Sequence, residues 1–324
     1  MLSYQHAYHA GNSADVHKHV VLWHLLDALL ARPKPFVVLD LYAGSGLYSL
    51  KEGPAARSQE WREGIGALWR AGLGVGDGRP VREPGASAAL LAYLEAVAQA
   101  SWFRQTTNAQ EDREDSVAQR PRSVTSLSHY PGSPWLVVQR LRADDRYIGC
   151  ELHPAAYAEL RGLLAGDTRC HVHRRDAREA VKGLLPPQPR RGLLLLDPAY
   201  ERLEEYAEVV QMLRTVRQRW TTGSVMLWYP LLSTGHDARL REGVVAAHAG
   251  AGVVFSELRL SDPPRGPGLQ GSGVAVIGPP WQFAESLRQT LQILPSLGLI
   301  GEKGGIFQAE VLENQQHRPQ FYRI

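Results

Sequence analysis

Cysteine is scarce in this chain: Cys150 and Cys170 are the two cysteines among its 324 residues, too few for a disulfide-stapled scaffold. Long apolar runs are also missing. The most apolar early stretch, residues 20–30, is too short to span a bilayer and contains His24 and Asp27. The first residues lack the charged and then apolar layout of a signal peptide. We therefore expect a cytoplasmic protein with no membrane-spanning segment.

Lysine is scarce as well, with five positions in the whole chain, so arginine supplies nearly all of the positive charge. The planar guanidinium of arginine binds phosphate through two hydrogen bonds and stacks on bases, which suits a nucleic-acid partner. A GC-rich coding bias would produce the same excess of arginine. The formal net charge of +3 is compatible with a nucleic-acid partner and does not require one.

Strand and helix patterns alternate along most of the chain. A β-branched run leads into a glycine turn in "FVVLDLYAGSGLYSL" (36–50), and the alternation resumes from Ser133 to the end of strand "GVAVIGPPW". The last two strands are joined at 261–272 by a loop without a helical period, so that pair should be antiparallel. We predict an α/β fold with a seven-stranded, Rossmann-like mixed sheet whose last strand is antiparallel. The common S-adenosylmethionine-dependent methyltransferases share this architecture, but a shared architecture is only an analogy for function.

One stretch interrupts this alternation. Residues 87–103 form an alanine-rich helical pattern, and residues 104–128 are polar and dense in charge, which is typical of a mobile loop. The predicted organisation is an N-terminal arm, helix and first strand at 1–47, an inserted helical subdomain at 48–129, the rest of the main domain at 130–295 and a C-terminal tail at 296–324.

Acidic residues follow three successive predicted strands. Asp40 precedes the glycine turn at 44–46, which lets the backbone approach a ligand closely. Glu151 ends the second strand, where a carboxylate can accept both hydroxyls of a ribose. Asp176 follows the third strand and could accept from an adenine amine, although it could equally cap the helix that starts at Ala177. Together the three acids favour an adenosyl cofactor.

A fourth acid follows the apolar run in "LLLLDPAYE" (193–201), which is typical of a strand buried on both faces. The carboxylate of Asp197 and the carbonyl of Pro198 could accept the two hydrogens of an aromatic amine, and the ring of Tyr200 could stack on the base. The alternative is a helix cap, because Asp followed by Pro is common at a helix start. In the context of the other acids, we predict that Asp197, Pro198 and Tyr200 are catalytic.

Histidines are frequent near the N-terminus, which raises the question of a metal site. No Cys or acid accompanies them at ligand spacing, so we expect no metal. The stretch "MLSYQHAYHAGNSADVHKHV" (1–20) instead combines rings with a lysine. It could close over a base and its phosphate, or it could be a tethered surface arm.

Several of these stretches together resemble one known family. The motifs are "MLSYQHAYHAGNSADVHKH", "LDLYAGSG", "YPGSP", "ELHP", "RRGLLLLDPAYE", "LWYP" and "GSGVAVIGPPW". The chain is similar to the RlmJ family, bacterial 23S ribosomal RNA adenine-N6 methyltransferases. The resemblance implies a class I methyltransferase that uses S-adenosylmethionine on an adenine flipped out of structured RNA.

The resemblance also implies residue roles. The cofactor site would be lined by His19, Tyr42, Ser133, Glu151, Asp176, Ala177 and Asp197. The carboxylate of Asp197 would also hold the target amine, and Tyr4, His6 and Lys18 would face the RNA. The sequence departs from the family at Ala199, which replaces a second proline, at Tyr42, where relatives can have His, and at Ala177, where relatives can have Gly.

Other functions remain open at this stage. The same residues could serve a DNA adenine or small-molecule amine methyltransferase. The fold could also carry a catalytically inactive RNA-binding factor, to which the alanine at position 199 lends some weight. The expected partner is 23S ribosomal RNA, with no membrane and no metal, and we expect a monomer.

Overall fold

A computed structural model of the chain describes residues 5–73, 75–76, 79–80, 87–110, 127–248, 250–260, 269–299, 307–315 and 318–320. The helices are α1 (Ser13–Leu30), α2 (Gly53–Ser58), α3 (Ile65–Leu68), α4 (Ala88–Gln110), α5 (Ser133–Val138), α6 (Pro154–Leu163), α7 (Ala177–Leu184), α8 (Glu204–Arg219), α9 (His236–Ala247) and α10 (Phe283–Leu291). Short turns of helix lie at η1 (His6–Tyr8), η2 (Glu60–Arg62) and η3 (Trp69–Leu73).

The strands are β1 (Val37–Asp40), β2 (Leu47–Ser49), β3 (Val75–Gly76), β4 (Arg79–Pro80), β5 (His129–Pro131), β6 (Arg146–Cys150), β7 (Cys170–His173), β8 (Gly192–Leu196), β9 (Ser224–Leu232), β10 (Val253–Leu260), β11 (Leu269–Ile277), β12 (Phe307–Gln315) and β13 (Arg318–Gln320).

The main sheet has the order β13-β12-β10-β11-β9-β8-β1-β6-β7. Strands β7, β6, β1, β8 and β9 are parallel, and β11 runs antiparallel to both β9 and β10. Seven of these strands thus form the predicted mixed sheet with an antiparallel last strand, and that prediction is confirmed. The loop predicted to join β10 to β11 lies largely outside the described residues.

The run of four leucines is explained by the central position of β8. The strand pairs with β1 on one side and β9 on the other, and all five of its residues are buried. Leu193 and Leu195 belong to the apolar cluster on one face of the sheet, and Leu194 and Leu196 belong to the cluster on the opposite face. Because side chains alternate along a strand, a strand covered on both faces needs apolar residues at every position.

Helices cover the two faces of the sheet. Residues of α1, α4, α5 and α10 contribute to one apolar cluster, and residues of α7, α8 and α9 contribute to the other. The long helix α1 is buried around most of its circumference, including three polar residues in succession, His17, Lys18 and His19. A helix that is buried all round lies inside a domain, so polar residues in it need partners within the protein.

Two segments go beyond the sequence predictions. The range predicted as a C-terminal tail contains β12 and β13, which extend the sheet beyond β10. Within the predicted insert, α4 continues to Gln110, so the first residues of the range predicted as a mobile loop are helical. The rest of that range up to 126 lies outside the described residues. Strands β2 and β5 pair at the two ends of the insert.

His17 connects α1 to the sheet. Its ring nitrogens are hydrogen-bonded to Ser272 Oγ at 2.9 Å and to Ser256 Oγ at 2.7 Å. Burial lowers the pKa of His17 to about 3, so the ring stays neutral in the folded protein.

Replacing His17 with asparagine should make the protein's stability less sensitive to acid. In the unfolded chain histidine has a pKa of about 6.5, so below that pH the unfolded wild type binds a proton that the folded form does not. The wild-type free energy of unfolding therefore falls with falling pH, by about 2 kcal/mol from this residue between about pH 6.5 and about pH 5. Urea unfolding of both proteins at these two pH values measures the difference. An identical pH dependence in the variant would contradict the assignment.

No helix in the described ranges is long and apolar enough to cross a membrane.

Candidate functional site

A cleft of about 1370 Å³ opens at the carboxyl ends of β1, β6, β7 and β8. Ligands bind at this edge in open parallel sheets, so the position agrees with the predicted fold. Nine of the predicted site residues line it: His6, Lys18, His19, Tyr42, Ser133, Glu151, Asp176, Ala177 and Asp197. The topology of the sheet brings these residues together although the sequence spreads them over most of the chain.

The glycine turn after β1 forms one wall of the cleft. Gly44 and Gly46 have φ angles of +62° and +80°, in the left-handed region that favours glycine. A side chain at position 44 would bring its Cβ within 2.2 Å of the hydroxyl of Tyr48. Gly44 also donates its amide hydrogen to Glu151 Oε2 at 2.8 Å. The turn therefore fixes the carboxylate of Glu151, and glycine at position 44 avoids a collision with Tyr48.

Glu151 is oriented from both sides. His153 donates its amide hydrogen to Oε1 at 2.7 Å, so each carboxylate oxygen accepts one backbone hydrogen bond. A carboxylate offers about four lone-pair sites, so each oxygen retains capacity for one more donor. That capacity matches the two hydroxyls of a ribose.

Asp176 caps α7 and lines the cleft at the same time. Its Oδ1 accepts from the backbone N of Arg178 at 2.8 Å and from the Nε of that residue at 3.0 Å. Burial alone would raise the pKa of Asp176, but these hydrogen bonds and the guanidinium charge hold it below its usual value. The helix-cap interpretation is thus confirmed, and the carboxylate that caps the helix also borders the cleft.

Asp40 lies beneath the cleft, although the sequence placed it with the other strand-end acids. It is 1% exposed and accepts from Ser133 Oγ at 2.6 Å. Burial raises the pKa of Asp40 to about 6, the hydrogen bond from Ser133 opposes this, and the charge of Asp197 adds to it. In this position Asp40 orients Ser133, which itself borders the cleft.

Asp197 follows directly on β8, and its side chain is 24% exposed. Helix α8 begins at Glu204, seven residues later, so the carboxylate of Asp197 is not in the first turn of that helix. Its Oδ2 accepts from Lys18 Nζ at 2.5 Å. The structure therefore contradicts the helix-cap alternative for Asp197 and places the acid at the cleft beside a cation.

Lys18 belongs to a network of charged groups at the cleft. Its ammonium also lies 2.8 Å from Asp15 Oδ1, and Asp15 Oδ2 accepts from His6 Nε2 at 3.0 Å. Burial alone would lower the pKa of Lys18, but the carboxylates of Asp15 and Asp197 outweigh it and raise that pKa above its usual value. Burial would likewise raise the pKa of Asp15, yet His6 and Lys18 hold it well below its usual range. The network therefore favours an ionised carboxylate beside an ammonium.

Asp15 is a site residue that sequence reasoning missed. The spacing of Asp15 and Lys18, three residues apart, could have indicated it. Helix α1 starts just before them, because Asn12 caps it by accepting from the Asp15 amide at 3.0 Å. Residues three apart on a helix share a face, so an acid and a lysine at that spacing form an ion pair.

His19 and Tyr42 complete the lining. His19 Nδ1 is hydrogen-bonded to the hydroxyl of Tyr130 at 2.8 Å, and burial lowers its pKa to about 3. It is thus a neutral group in the lining of the cleft. Burial raises the pKa of Tyr42, and the nearby carboxylate of Asp176 raises it further, so the phenol stays protonated.

Two predicted catalytic residues, Pro198 and Tyr200, are not among the described residues that line the cleft. The hydroxyl of Tyr200 donates to the carbonyl of Trp228 at 3.1 Å, and its ring centroid lies 4.5 Å from that of Tyr206. Its φ of +52° turns the chain sharply after Asp197. A stacking role for this ring would require it to rotate out of its contacts with Tyr206 and Trp228, and that role stays a prediction. Tyr4 lies outside the described residues.

In the described part of the chain, no group of three or more His, Cys, Asp or Glu side chains is arranged to hold a metal ion.

Comparisons with known proteins identify the family of the chain. The family model described as "Ribosomal RNA large subunit methyltransferase D, RlmJ" matches residues 102–309. Ribosomal RNA large subunit methyltransferase J of Escherichia coli is 34% identical over 296 residues, covering 91% of this chain and 94% of that protein. The protein of the same name from Haemophilus influenzae is 31% identical over 301 residues, covering 91% and 93%.

A solved structure matches over nearly the same length. The crystal structure of a protein from Legionella pneumophila superposes with a TM-score of 0.73 at 28% identity, covering 93% of this chain and 98% of that one. With the curated relatives above 30% identity over nine-tenths of the chain, the resemblance seen in the motifs is confirmed. The chain belongs to the RlmJ family of ribosomal RNA large subunit methyltransferases.

Proposed function

We propose that this protein transfers a methyl group from S-adenosylmethionine to the exocyclic N6 of a flipped-out adenine in 23S ribosomal RNA. The observation that carries the proposal is the Asp197 carboxylate, which lies at the end of a central strand and opens into the same cleft as Glu151 and Asp176. The family supplies the reaction class, and the names of the relatives supply ribosomal RNA as the substrate class.

The residues of the cleft fit S-adenosylmethionine. Gly44 lines the cleft, and because a Cβ there would collide with the hydroxyl of Tyr48, this part of the lining is backbone without a side chain. Glu151 retains acceptor capacity for ribose hydroxyls, and Asp176 provides an acceptor for an adenine amine. The volume of 1370 Å³ exceeds the roughly 300–1,000 Å³ of a typical small-molecule site, as expected for a cleft that takes a cofactor together with a base.

When bound, S-adenosylmethionine supplies a methyl group on a positively charged sulfur. The chain's own contribution is to hold the acceptor amine. Lys18 donates to Oδ2 of Asp197, which leaves Oδ1 to accept one hydrogen of the amine. The proposed second acceptor is the carbonyl of Pro198, which does not line the described cleft, so this contact requires the segment after β8 to shift when the substrate binds. By accepting the hydrogens of the amine, these two groups favour a tetrahedral nitrogen. The lone pair of such a nitrogen is no longer delocalised into the ring. The neutral amine attacks the methyl carbon as the carbon–sulfur bond breaks, and the methylated nitrogen then loses one proton to Asp197 or to solvent. Because no proton has to leave first, most of the rate comes from positioning and local polarity.

A labelled-methyl assay tests the proposal. The wild-type protein is offered protein-free 23S ribosomal RNA, duplex DNA and free nucleosides, and the product is digested and examined for N6-methyladenosine. We expect label in the ribosomal RNA as N6-methyladenosine. Label in DNA or nucleosides instead would favour a methyltransferase with another substrate. RNA binding without any label, together with no heat on calorimetric titration with the cofactor, would favour an inactive RNA-binding factor.

Two expectations accompany the proposal. We expect the protein to act in the cytoplasm, where ribosomal RNA is available, and to act as a monomer.

A further inference from the structure

The N-terminal arm and the start of the insert form one continuous surface beside the cleft. We call it the arm–α2 rim and define it by Tyr8, Arg57, Trp61 and Arg62. It is held together by Glu60, which accepts from Asn12 Nδ2 at 3.0 Å and is hydrogen-bonded to His9 Nδ1 at 2.9 Å. The hydroxyl of Ser58 donates to the carbonyl of Tyr8. The arm therefore lies against α2 and η2 in a fixed position.

The rim presents two arginines, each stacked on a ring. The guanidinium carbon of Arg57 lies 5.4 Å from the ring centroid of Tyr8, and that of Arg62 lies 5.6 Å from the ring centroid of Trp61. Both arginines are exposed, and both rings are half-buried. A guanidinium that stacks on a ring keeps its N–H edge available to a phosphate. Glu60, the acidic residue in η2, is hydrogen-bonded to His9 and Asn12, and its side chain is 18% exposed.

The rim adjoins the cleft directly. His6 and Ala7 of the arm line the cleft, as do Gly53 and Pro54 at the start of α2. Arg57 follows Pro54 by three residues, which is about 5 Å along the helix axis. A strand of nucleic acid that enters the cleft from this side must pass over the rim.

Other arginines lie at the amino ends of the strands, opposite to the cleft, and have a different role. We call this side of the sheet the far edge. Arg142 donates to the carbonyls of Arg32 and Lys34, and Arg191 donates to the carbonyl of Lys34 at 2.6 Å. These guanidiniums satisfy backbone acceptors after the end of α1, so their charge serves the fold.

We propose that the arm–α2 rim binds the RNA strand next to the target nucleotide, with Arg57 and Arg62 on phosphates and the rings of Tyr8 and Trp61 supporting them. The proposal rests on the RNA substrate of the proposed function. Contacts of this kind, from cations to the phosphates of a single strand, do not depend on the base sequence. The rim therefore supplies affinity, and the cleft selects the base.

The test is a double variant, Arg57→Gln with Arg62→Gln, compared with a matched double variant at the far edge, Arg32→Gln with Lys34→Gln. Binding of protein-free 23S ribosomal RNA is measured over a series of salt concentrations. For two lost contacts to a single strand, we expect binding about tenfold weaker near physiological salt and a salt slope shallower by about 1.4. The far-edge variant should bind as the wild type does. Calorimetric affinity for S-adenosylmethionine should be unchanged in both, which also shows that both fold.

Four further outcomes are decisive. A rim variant with wild-type affinity and slope would overturn the proposal, and so would an equal loss in the far-edge variant, because the effect would then be general electrostatics. A conservative double variant, Arg57→Lys with Arg62→Lys, should keep the wild-type salt slope, since it keeps the charge. Because binding is measured without methyl transfer, a wild type that binds RNA through the rim yet forms no N6-methyladenosine would refute the proposed function alone.

Discussion

Replacing Asp197 with alanine should reduce methyl transfer by about 100-fold or more, while affinity for S-adenosylmethionine stays within about an order of magnitude of the wild type. The carboxylate is the acceptor proposed to hold the substrate amine, so its loss removes an interaction that the reaction depends on. The fold should tolerate the change, because Lys18 keeps its ion pair with Asp15 at 2.8 Å. Single-turnover methyl transfer to 23S ribosomal RNA measures the first effect, and calorimetric titration measures the second.

A control acid for this experiment lies in the same connection between β8 and α8. Glu204 is exposed, begins α8 and does not belong to the described lining of the cleft. Its replacement by alanine changes the net charge by the same amount as the Asp197 variant and should leave turnover near the wild type. Full activity of Asp197→Ala, or an equal loss in Glu204→Ala, would refute the role assigned to Asp197.

The central strands and the acids at their ends could be predicted from local sequence. The apolar run of β8 indicated a strand buried on both faces, and the structure places Leu193 and Leu194 in the clusters on opposite faces of the sheet. Once such strands are parallel, their carboxyl ends meet at one edge, so Glu151 and Asp197 had to approach the same cleft. The apolar pattern and the alternation of strands and helices can be read from short segments. The sequence alone therefore predicted the central strands and the acids at their ends.

The pairings between distant segments could not be predicted in the same way. Lys18 and Asp197 are 179 residues apart, and nothing in the local pattern of either indicates the other. The hydrogen bond from Ser133 to Asp40 likewise joins residues that are 93 positions apart, on either side of the insert. The two strands after α10 were missed because β12 pairs with the edge of β10, and β13 with β12, and that edge is formed by a distant part of the chain. Such contacts follow from the assembled fold.

Replacing Lys18 with methionine should be the most damaging single change to stability in the site. Methionine keeps the apolar stem and removes the ammonium, which leaves the carboxylate of Asp15, 3% exposed, without its closest cation. Removing one partner from a buried ion pair costs about 3–5 kcal/mol in the free energy of unfolding. In the wild type the pKa of Asp15 is held well below its usual range, so the wild type keeps this stabilisation until the pH is strongly acidic. In the variant the buried carboxyl becomes easier to protonate, so the deficit should shrink as the pH falls.

Urea unfolding of the wild type and Lys18→Met at neutral and acidic pH measures both effects, and an unchanged free energy of unfolding would contradict them.

A double variant, Lys18→Met with Asp15→Asn, separates the effect of Lys18 on stability from its effect on the position of Asp197. Removing both charges should restore most of the lost stability, because the more deeply buried of the two carboxylates, that of Asp15, is then no longer charged. Turnover should stay low, because Oδ2 of Asp197 still lacks the ammonium that orients it. Lys18 is in this sense a positioning residue: it acts on the substrate amine through Asp197. Recovery of turnover together with stability would show instead that the lysine serves the fold alone.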